Sequence, residues 1–366
     1  MFNNFFPHLP QKDHIMAAIS DRPCRFVGVD LHKLTITIVC VDGTRKVVAR
    51  RRFSNLDSSA IVAFLRSHAP LELTVEATAS YEWFVQLVEP YARRVVLAHP
   101  GKLRVIAEST RKSDNLDAKL LAEMLALGHI PEAYRPTPRQ REYRLLVRQR
   151  QDVQRKITGA KNKIRRLLSN HNLDRDNLFT KAGQAALAGM NLPASDRFCI
   201  DQLIAQWKWL RQQLLAMNQH LGIFAESGPA EEREDRRLLM SVPGVGVITS
   251  DVLLAELVGW RRFSSLKQVS AYAGFVPGQR ESAGKRKNLH IEKTGSPLLR
   301  WVMVQAAWQL VKRSPRWRAI YERLKGRIGG KKGVIAVARR LLGVCFSVLK
   351  SQRDYCEKAL PKTAVA

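Results

Sequence analysis

Acidic residues are the scarce class in this 366-residue chain: 32 Asp and Glu stand against 61 Lys and Arg, for a net charge of +29. A field of that size attracts a polyanion, and nucleic acid fits it better than a membrane surface. Cysteine is sparse too. Cys24, Cys40, Cys199, Cys345 and Cys356 are odd in number and irregularly spaced, which excludes a zinc pattern or a disulfide framework and suits a reducing cytoplasm. No apolar run reaches the roughly 20 residues of a membrane span, and the N-terminus lacks a basic start followed by an apolar stretch.

The positive charge is unevenly spread. Basic against acidic residues number 17 to 13 over 1–130, 13 to 5 over 131–180, 7 to 7 over 181–240, and 24 to 7 over 241–366. Two basic blocks therefore flank a neutral spacer, on a chain long enough for two or three domains with their own cores.

The chain is organised around residues 25–43. Val27, Val29 and Leu31 alternate with smaller or polar residues, Leu34 to Val41 is a second β-branched run, and Asp42-Gly43 supplies a tight hairpin turn. Asp30 interrupts the first apolar strand. A carboxylate there either ends the strand at solvent or meets a cation, for which a divalent ion is the natural candidate. A loosely attached arm (1–22) precedes this segment. After it, Thr44 to Phe53 reads as a strand with a basic exposed face, Ser58 to His68 as a helix, and Leu71 to Glu76 as a strand with an acidic end. Tyr81 to Tyr91 reads as helical, Arg94 to Ala98 as a strand, and Asp114 to Leu127 as a helix closed by Gly128. A three-strand meander followed by alternating helices and strands implies a mixed sheet covered by helices over 23–132. Asp114 and Asp117 share one helix face, which suits either the helix dipole or a cation held with other ligands. With Asp30 and Glu76 they form an ordered acidic set able to converge on one sheet edge.

A second region covers 133–228. Leu146, Val153, Ala160 and Leu167 recur every seven residues with Ile157 and Ile164 between them, and Leu203, Trp207, Leu210, Leu214, Met217, Leu221 and Phe224 alternate spacings of four and three. Such seams pair two long helices with each other or with another subunit. Arg150, Arg155, Lys156, Lys161, Lys163, Arg165 and Arg166 surround the first seam with only Asp152 opposing; this density favours a nucleic-acid contact over a merely solvated face. The neutral second helix reads as an assembly element.

Gly228-Pro229 and the charged run Glu231 to Arg237 open a third region, 229–356, with a tail at 357–366. Leu238 to Leu257 resembles a helix-hairpin-helix: Gly244 and Gly246 permit a tight turn whose amides can face a phosphate, although such turns also serve as plain connections. Ser282 stands beside Gly284, Lys285, Arg286 and Lys287, with Lys293 and Arg300 beyond. A serine that attacks phosphorus needs a flexible approach and nearby positive charge; the same residues also describe a phosphate-binding loop in which Ser282 donates a hydrogen bond. Ser264 and Ser265 begin a helix, where capping is the ordinary role. Trp317 and Tyr321 lie among cations, placed either to stack on bases or to close a core.

Gly28-Val-Asp30 on a first strand, Val75-Glu-Ala-Thr78, and Ser113-Asp-Asn-Leu-Asp-Ala118 resemble the four-acid (DEDD) transposases of the one-hundred-and-ten group of bacterial insertion sequences. The C-terminal pattern of that family is matched in order by Tyr272-Ala-Gly, Pro277, Ser282-Ala-Gly-Lys285, Lys293, Gly295 and Leu299-Arg300; Ala283 stands where many relatives have glycine. The resemblance implies an α/β plus α architecture: a RuvC-like (RNase H-like) mixed-sheet domain, a coiled-coil helical insert, and a mostly helical C-terminal domain. It implies that Asp30, Glu76, Asp114 and Asp117 hold Mg²⁺, or Mn²⁺ in its place, and that Ser282 is a nucleophile forming a phosphoserine link. It further implies donor and target DNA and a structured bridge RNA as partners. The expected assembly is a homo-oligomer, a dimer or a synaptic tetramer, at the bacterial nucleoid and away from any membrane. Two other readings stay open: a metal-only RuvC-like nuclease of junction-resolvase type that uses water, and a non-catalytic nucleic-acid-binding scaffold whose acids tolerate Asn and Gln.

Overall fold

The structure is a computed structural model that describes residues 24–78, 80–106, 114–282 and 285–357; the arm at 1–22 and the end of the tail lie outside the described residues. The chain divides into two compact units, Met1–Arg135 and Pro136–Ala366.

In the first unit the strands β1 (Arg25–Leu31), β2 (Thr35–Val41) and β3 (Val47–Ser54) form the expected meander. Helix α1 (Ser58–Ser67), β4 (Leu71–Glu76), α2 (Tyr81–Val88), β5 (Arg94–Ala98), α3 (Pro100–Ile106) and α4 (Asp114–Ala126) follow. The five strands make one mixed sheet in the order β3-β2-β1-β4-β5, antiparallel from β3 to β1 and parallel from β1 to β5. The alternation seen in sequence sorts side chains between two faces. Val27 and Val29 of β1, with Leu71, Leu73 and Val75 of β4, bury against Ile61 and Leu65 of α1 and Phe84, Val85 and Val88 of α2. The opposite face sets Phe26, Val39 and Val41 against Ala118, Ala122 and Ala126 of α4. Helices on both faces explain why β2 is a continuous β-branched run. The edge strand β3 exposes Arg50, Arg51 and Arg52, charges that discourage further strand pairing.

The second unit contains α5 (Pro138–Ser169), α6 (Lys181–Ala188), α7 (Ala194–Glu226), α8 (Ala230–Met240), α9 (Val247–Leu257) and α10 (Leu266–Tyr272). A hairpin of β6 (Pro277–Ser282) and β7 (Lys285–Ile291) precedes α11 (Pro297–Arg313), α12 (Pro315–Ile328) and α13 (Gly330–Ser351). α5 starts at a capping box in which the Thr137 side chain accepts from the Gln140 amide and the Gln140 side chain accepts from the Thr137 amide. The two long helices pair with each other, antiparallel. Val153, Ile157 and Ala160 pack on Trp207 and Leu210, and further along Ile164 and Leu168 pack on Ile200. The strict seven-residue repeat drifts on a real helix, so Leu146 and Leu167 are only partly buried and Ile157 and Ile164 take the centre. At the base of this helical pair Tyr143, Val147, Leu221 and Ala225 join a core built by α8 to α13. Trp317 and Tyr321 belong to that core, 6% and 8% exposed, which leaves neither ring free to stack on bases. The Ser265 hydroxyl accepts from the Gln268 amide at 3.4 Å, capping α10 as expected. Among the described residues no helix is long and apolar enough to cross a membrane.

Candidate active site and nucleic-acid interface

Asp30 is the penultimate residue of β1 and Glu76 the last of β4. The strands are parallel with Val29 beside Val75, so the next step of the register sets Asp30 beside Glu76 at their carboxyl edge. The alternation that points Val29 and Val75 toward α1 and α2 sends both carboxylates to the α4 face. The Asp30 side chain is 19% exposed and its Oδ2 lies 3.0 Å from His32 Nε2; Glu76 is half-buried.

α4 reaches this edge because of Gly28. A Cβ at that position would fall well inside contact with the Ala118 carbonyl and the Ala122 amide, so the helix backbone rests directly on β1 only over glycine. Ala126, two turns further, packs with Phe26, Val41 and Val47, which lie at the far end of these strands from Asp30. α4 thus runs away from Asp30, and its first turn lies at the acidic edge. Asp114 is its first residue and the exposed Asp117 its fourth, next to the buried Ala118; the Asp114 side chain lies outside the described residues. Among the described residues no three His, Cys, Asp or Glu side chains form a group placed to hold a metal ion. The donors at Asp30 and Glu76 are carboxylate oxygens, the type that hard divalent cations take, so the residues of this edge fit such an ion by donor chemistry.

The segment of Ser282, expected as a flexible loop, is a β-hairpin. Ser282 ends β6 and pairs with Lys285, while Glu281 pairs with Arg286 and Arg280 with Lys287; these side chains, and residues 283 and 284, lie outside the described residues. The family-pattern residues around the hairpin form its mount. Gly295 sits against the Tyr272 carbonyl with no room for a Cβ. The Arg300 guanidinium donates to the carbonyls of Ala273 (3.1 Å) and Gly295 (2.7 Å), and burial pulls its pKa below the usual arginine range. Arg300, expected to meet nucleic acid, therefore ties two protein segments together. Lys293 is exposed.

Of the basic set on α5, Arg155, Lys156, Lys163 and Arg166 are exposed, with Lys156 paired to Asp152 at 2.7 Å. The other three turn inward. Arg150 donates to Asn218 of α7 (2.9 Å), Lys161 lies 4.7 Å over the Phe179 ring, and Arg165 donates to the Asp176 carbonyl (3.2 Å) and pairs with Asp174 (3.5 Å). Gly244, at φ +86°, packs against the α11 backbone near Ala306 and Leu310, whereas Gly246 is exposed at the start of α9. The α8–turn–α9 segment thus offers Gly246 and the first turn of α9 to solvent.

Sequence reasoning missed a buried polar network at the base of α5. Asp251, fully buried, accepts from Tyr143 Oη (2.7 Å) and Arg236 Nε (2.6 Å). Burial, then the Asp251 charge, raises the Tyr143 pKa and keeps the phenol protonated. Glu256, 1% exposed, is held by Arg148 at 2.7 and 3.0 Å. Asp235 accepts from Trp260 Nε1 (2.8 Å) and Gln352 Nε2 (2.9 Å). The trace in sequence is Asp251 and Glu256 inside the otherwise apolar Val247–Leu257, whereas Asp235 is hidden in the charged run Glu231 to Arg237.

Residues 27–172 match a family model of DEDD transposases of the IS110 type, described as Transposase. Residues 236–322 match the model described as Transposase IS116/IS110/IS902 family. The first segment contains all four candidate acids and the second contains Ser282. The chain is 25% identical to the transposase for insertion sequence element IS1111A of Coxiella burnetii over 92% of each chain. It is 25% identical to the transposase for insertion sequence element IS1328 of Yersinia enterocolitica, covering 77% of this chain and 82% of that one. It is also 22% identical to the pilin gene-inverting protein of Moraxella lacunata, over 90% of this chain and 97% of the relative. A mixed five-stranded sheet with acids on one edge, joined to a helical unit that carries a serine hairpin, thus goes with two family matches, and the chain belongs to the IS110/IS116 family of insertion-sequence transposases.

Proposed function

We propose that this transposase cuts and rejoins DNA through a phosphoserine intermediate on Ser282, with Asp30, Glu76, Asp114 and Asp117 holding Mg²⁺, or Mn²⁺, at the scissile phosphate in a RuvC-like domain. The observation that supports the metal half most directly is the shared edge: Asp30 and Glu76 lie at the carboxyl ends of neighbouring parallel strands, and Gly28 seats the helix of Asp114 and Asp117 on the same face. The ion supplies charge stabilisation to a phosphodiester under attack. Ser282 Oγ gives up its proton and bonds to phosphorus as the bond to the leaving sugar oxygen breaks, and that oxygen takes up a proton and departs as a hydroxyl. The ester so formed conserves the strand's bond energy, and the reverse attack by a sugar hydroxyl rejoins DNA without another energy source. Lys285, Arg286 and Lys287, on the strand paired with Ser282, supply positive charge to the pentacovalent state. The relative from Moraxella is named for inverting a gene, an act that needs both cutting and rejoining.

A structured bridge RNA from the element and the donor and target DNA complete the reading. They meet the exposed Arg155, Lys156, Lys163 and Arg166, the first turn of α9 and the exposed Lys293. Several copies act together in the bacterial cytoplasm, with residues 23–132 supplying the acids, 133–228 the helical insert and 229–356 the serine. Incubation with Mg²⁺, the element's noncoding RNA and a donor–target DNA pair is expected to yield a denaturant-resistant protein–DNA adduct. Ser282→Ala abolishes the adduct, and Asp30→Asn or Glu76→Gln abolishes strand cutting with the fold intact. Strand cutting without an adduct, under conditions that trap intermediates, would overturn the serine chemistry in favour of water as nucleophile.

A further inference from the structure

β3 carries three arginines in a row, and the sheet sorts them between its two faces. Between Asp42 and Asp57 the chain holds Arg45, Lys46, Arg50, Arg51 and Arg52 and no acidic residue. Outside that stretch residues 1–130 hold twelve basic and thirteen acidic residues, so the positive excess of this part of the chain lies on β3 and the turn before it. β3 pairs with β2 so that Arg50 stands beside Val39, Arg51 beside Ile38 and Arg52 beside Thr37. Val39 belongs to the α4 face and Ile38 to the face covered by α1 and α2. Paired residues share a face. Arg50 and Arg52 therefore stand on the α4 face and Arg51 on the other, where its guanidinium lies 5.1 Å from the Phe53 ring centroid.

Arg52 completes a row that begins at the acids. Thr37 pairs with Arg52 on one side and with Asp30 on the other, and Glu76 follows Val75, the partner of Val29, on β4. Across β4, β1, β2 and β3 the α4 face thus reads Glu76, Asp30, Thr37, Arg52. Arg52 Nη2 donates to Thr35 Oγ1 at 3.1 Å. The Thr35 carbonyl accepts from the His32 amide in the turn that follows β1, so the guanidinium leans toward the acidic edge. Two strand spacings, roughly 9.5 Å, separate Arg52 from Asp30 along the row. α4 crosses β1 and β2 over Gly28, Val39 and Val41 and leaves Arg50 and Arg52 exposed.

Protection of a sheet edge accounts for charge on β3 but treats the two faces alike. The acids give a reason to prefer one face. A chain of phosphates brought to a carboxylate cluster is repelled everywhere except at the phosphate a metal ion meets, and cations on the same face offset that repulsion for the neighbouring phosphates. The arginine fork also matches phosphate geometry.

We propose that Arg52, with Arg50 behind it, binds backbone phosphates of the DNA strand that is cut, and so sets which phosphate reaches Asp30 and Glu76. At about 3.4 Å of rise per nucleotide of one strand, the separation along the row puts the Arg52 contact about three nucleotides from the cut. The inference rests on the metal reading above for the place of cutting, whereas the arginine contact is read from binding alone.

The test uses full-length protein with Mg²⁺, the element's noncoding RNA and a donor–target DNA pair in which single phosphates are replaced, one at a time, by uncharged methylphosphonates. Binding is measured in an Asp30→Asn, Ser282→Ala background so that cutting does not intervene. One phosphate within about four nucleotides of the cut is expected to weaken binding about tenfold when neutralised, the size of a hydrogen bond to a charged group. Adding Arg52→Gln is expected to weaken binding to unmodified DNA by a similar factor and to abolish the penalty at that phosphate. Arg52→Lys, which keeps the charge, retains part of the penalty. Arg51→Gln, on the same strand and the opposite face, leaves the whole pattern unchanged, and hydrogen exchange in β3 is the same in every variant. A penalty that survives Arg52→Gln at every such phosphate, one that Arg51→Gln removes equally, or one that appears only on phosphates of the RNA each overturns the proposal. Strand cutting by the Asp30→Asn single variant would end the metal reading, and the loss or survival of the Arg52 coupling is scored apart from it.

Discussion

Gly28→Ala tests the seating of α4 on the sheet, and with it the position of two of the four acids. The added methyl group would overlap the Ala118 carbonyl and the Ala122 amide and press on Leu121 Cβ at 3.0 Å. Carbon atoms pack at about 3.5–4.0 Å, and two of these neighbours are helix backbone, which cannot rotate out of the way. The helix must lift from β1, which loosens the contacts of Ala118, Ala122 and Leu125 with β1, β2 and β5. Overpacking of this kind costs about 1–3 kcal/mol, and more when backbone is displaced. Against it, replacing glycine restricts the unfolded chain and stabilises by about 0.4–1 kcal/mol. Because the displaced neighbours are backbone, the cost lies at or above the upper end of that range, and the clash wins by about 2–3 kcal/mol. A two-unit chain does not melt in one step, so the measurement is hydrogen exchange read on peptides from β1 and α4. Exchange there is expected to accelerate by about 30- to 150-fold, the equivalent of that energy, while peptides from α11 to α13 are unchanged. Adduct yield falls with it. Exchange in β1 within about twofold of wild type would refute the close seating.

Other consequences follow from the same structure. Asp251→Ala leaves Arg236 and Tyr143 without their buried partner; breaking a buried pair on one side costs about 3–5 kcal/mol, read as a lower urea midpoint of the second unit, and a loss below about 1 kcal/mol would contradict the network. Lys163→Ala with Arg166→Ala is expected to weaken nucleic-acid binding and lower the slope of log affinity against log salt by about 1–2. Arg300→Ala lowers thermal stability and leaves that slope unchanged; a changed slope would return Arg300 to the nucleic-acid interface. Burial pushes the Cys40 thiol up to about 11 and Cys345 up to about 12. A raised thiol pKa means less thiolate, so at pH 8 a maleimide reagent is expected to modify the exposed Cys356 and spare both buried thiols, as mass spectrometry of the folded protein would show.

Much of this protein was written in short windows of its sequence. The two-residue alternation of Val27 and Val29, the β-branched run of β2, and the acidic end of Leu71–Glu76 are local patterns, and the strands stand where those patterns put them. The heptad spacings likewise marked α5 and α7, and the ordered acids with the serine pattern pointed to the family that the matches show. The tertiary structure alone decided which neighbour each side chain meets. It showed that the seams of α5 and α7 close on each other, that Arg150, Lys161, Arg165 and Arg300 face protein, and that Ser282 ends a hairpin strand. It also disclosed a carboxylate whose hydrogen-bond partner is 108 residues away, Asp251 with Tyr143. The physical reason is range: periodicity and charge belong to a residue and its near neighbours, whereas burial, pairing and the direction of α4 over β1 depend on backbone paths that bring distant segments together.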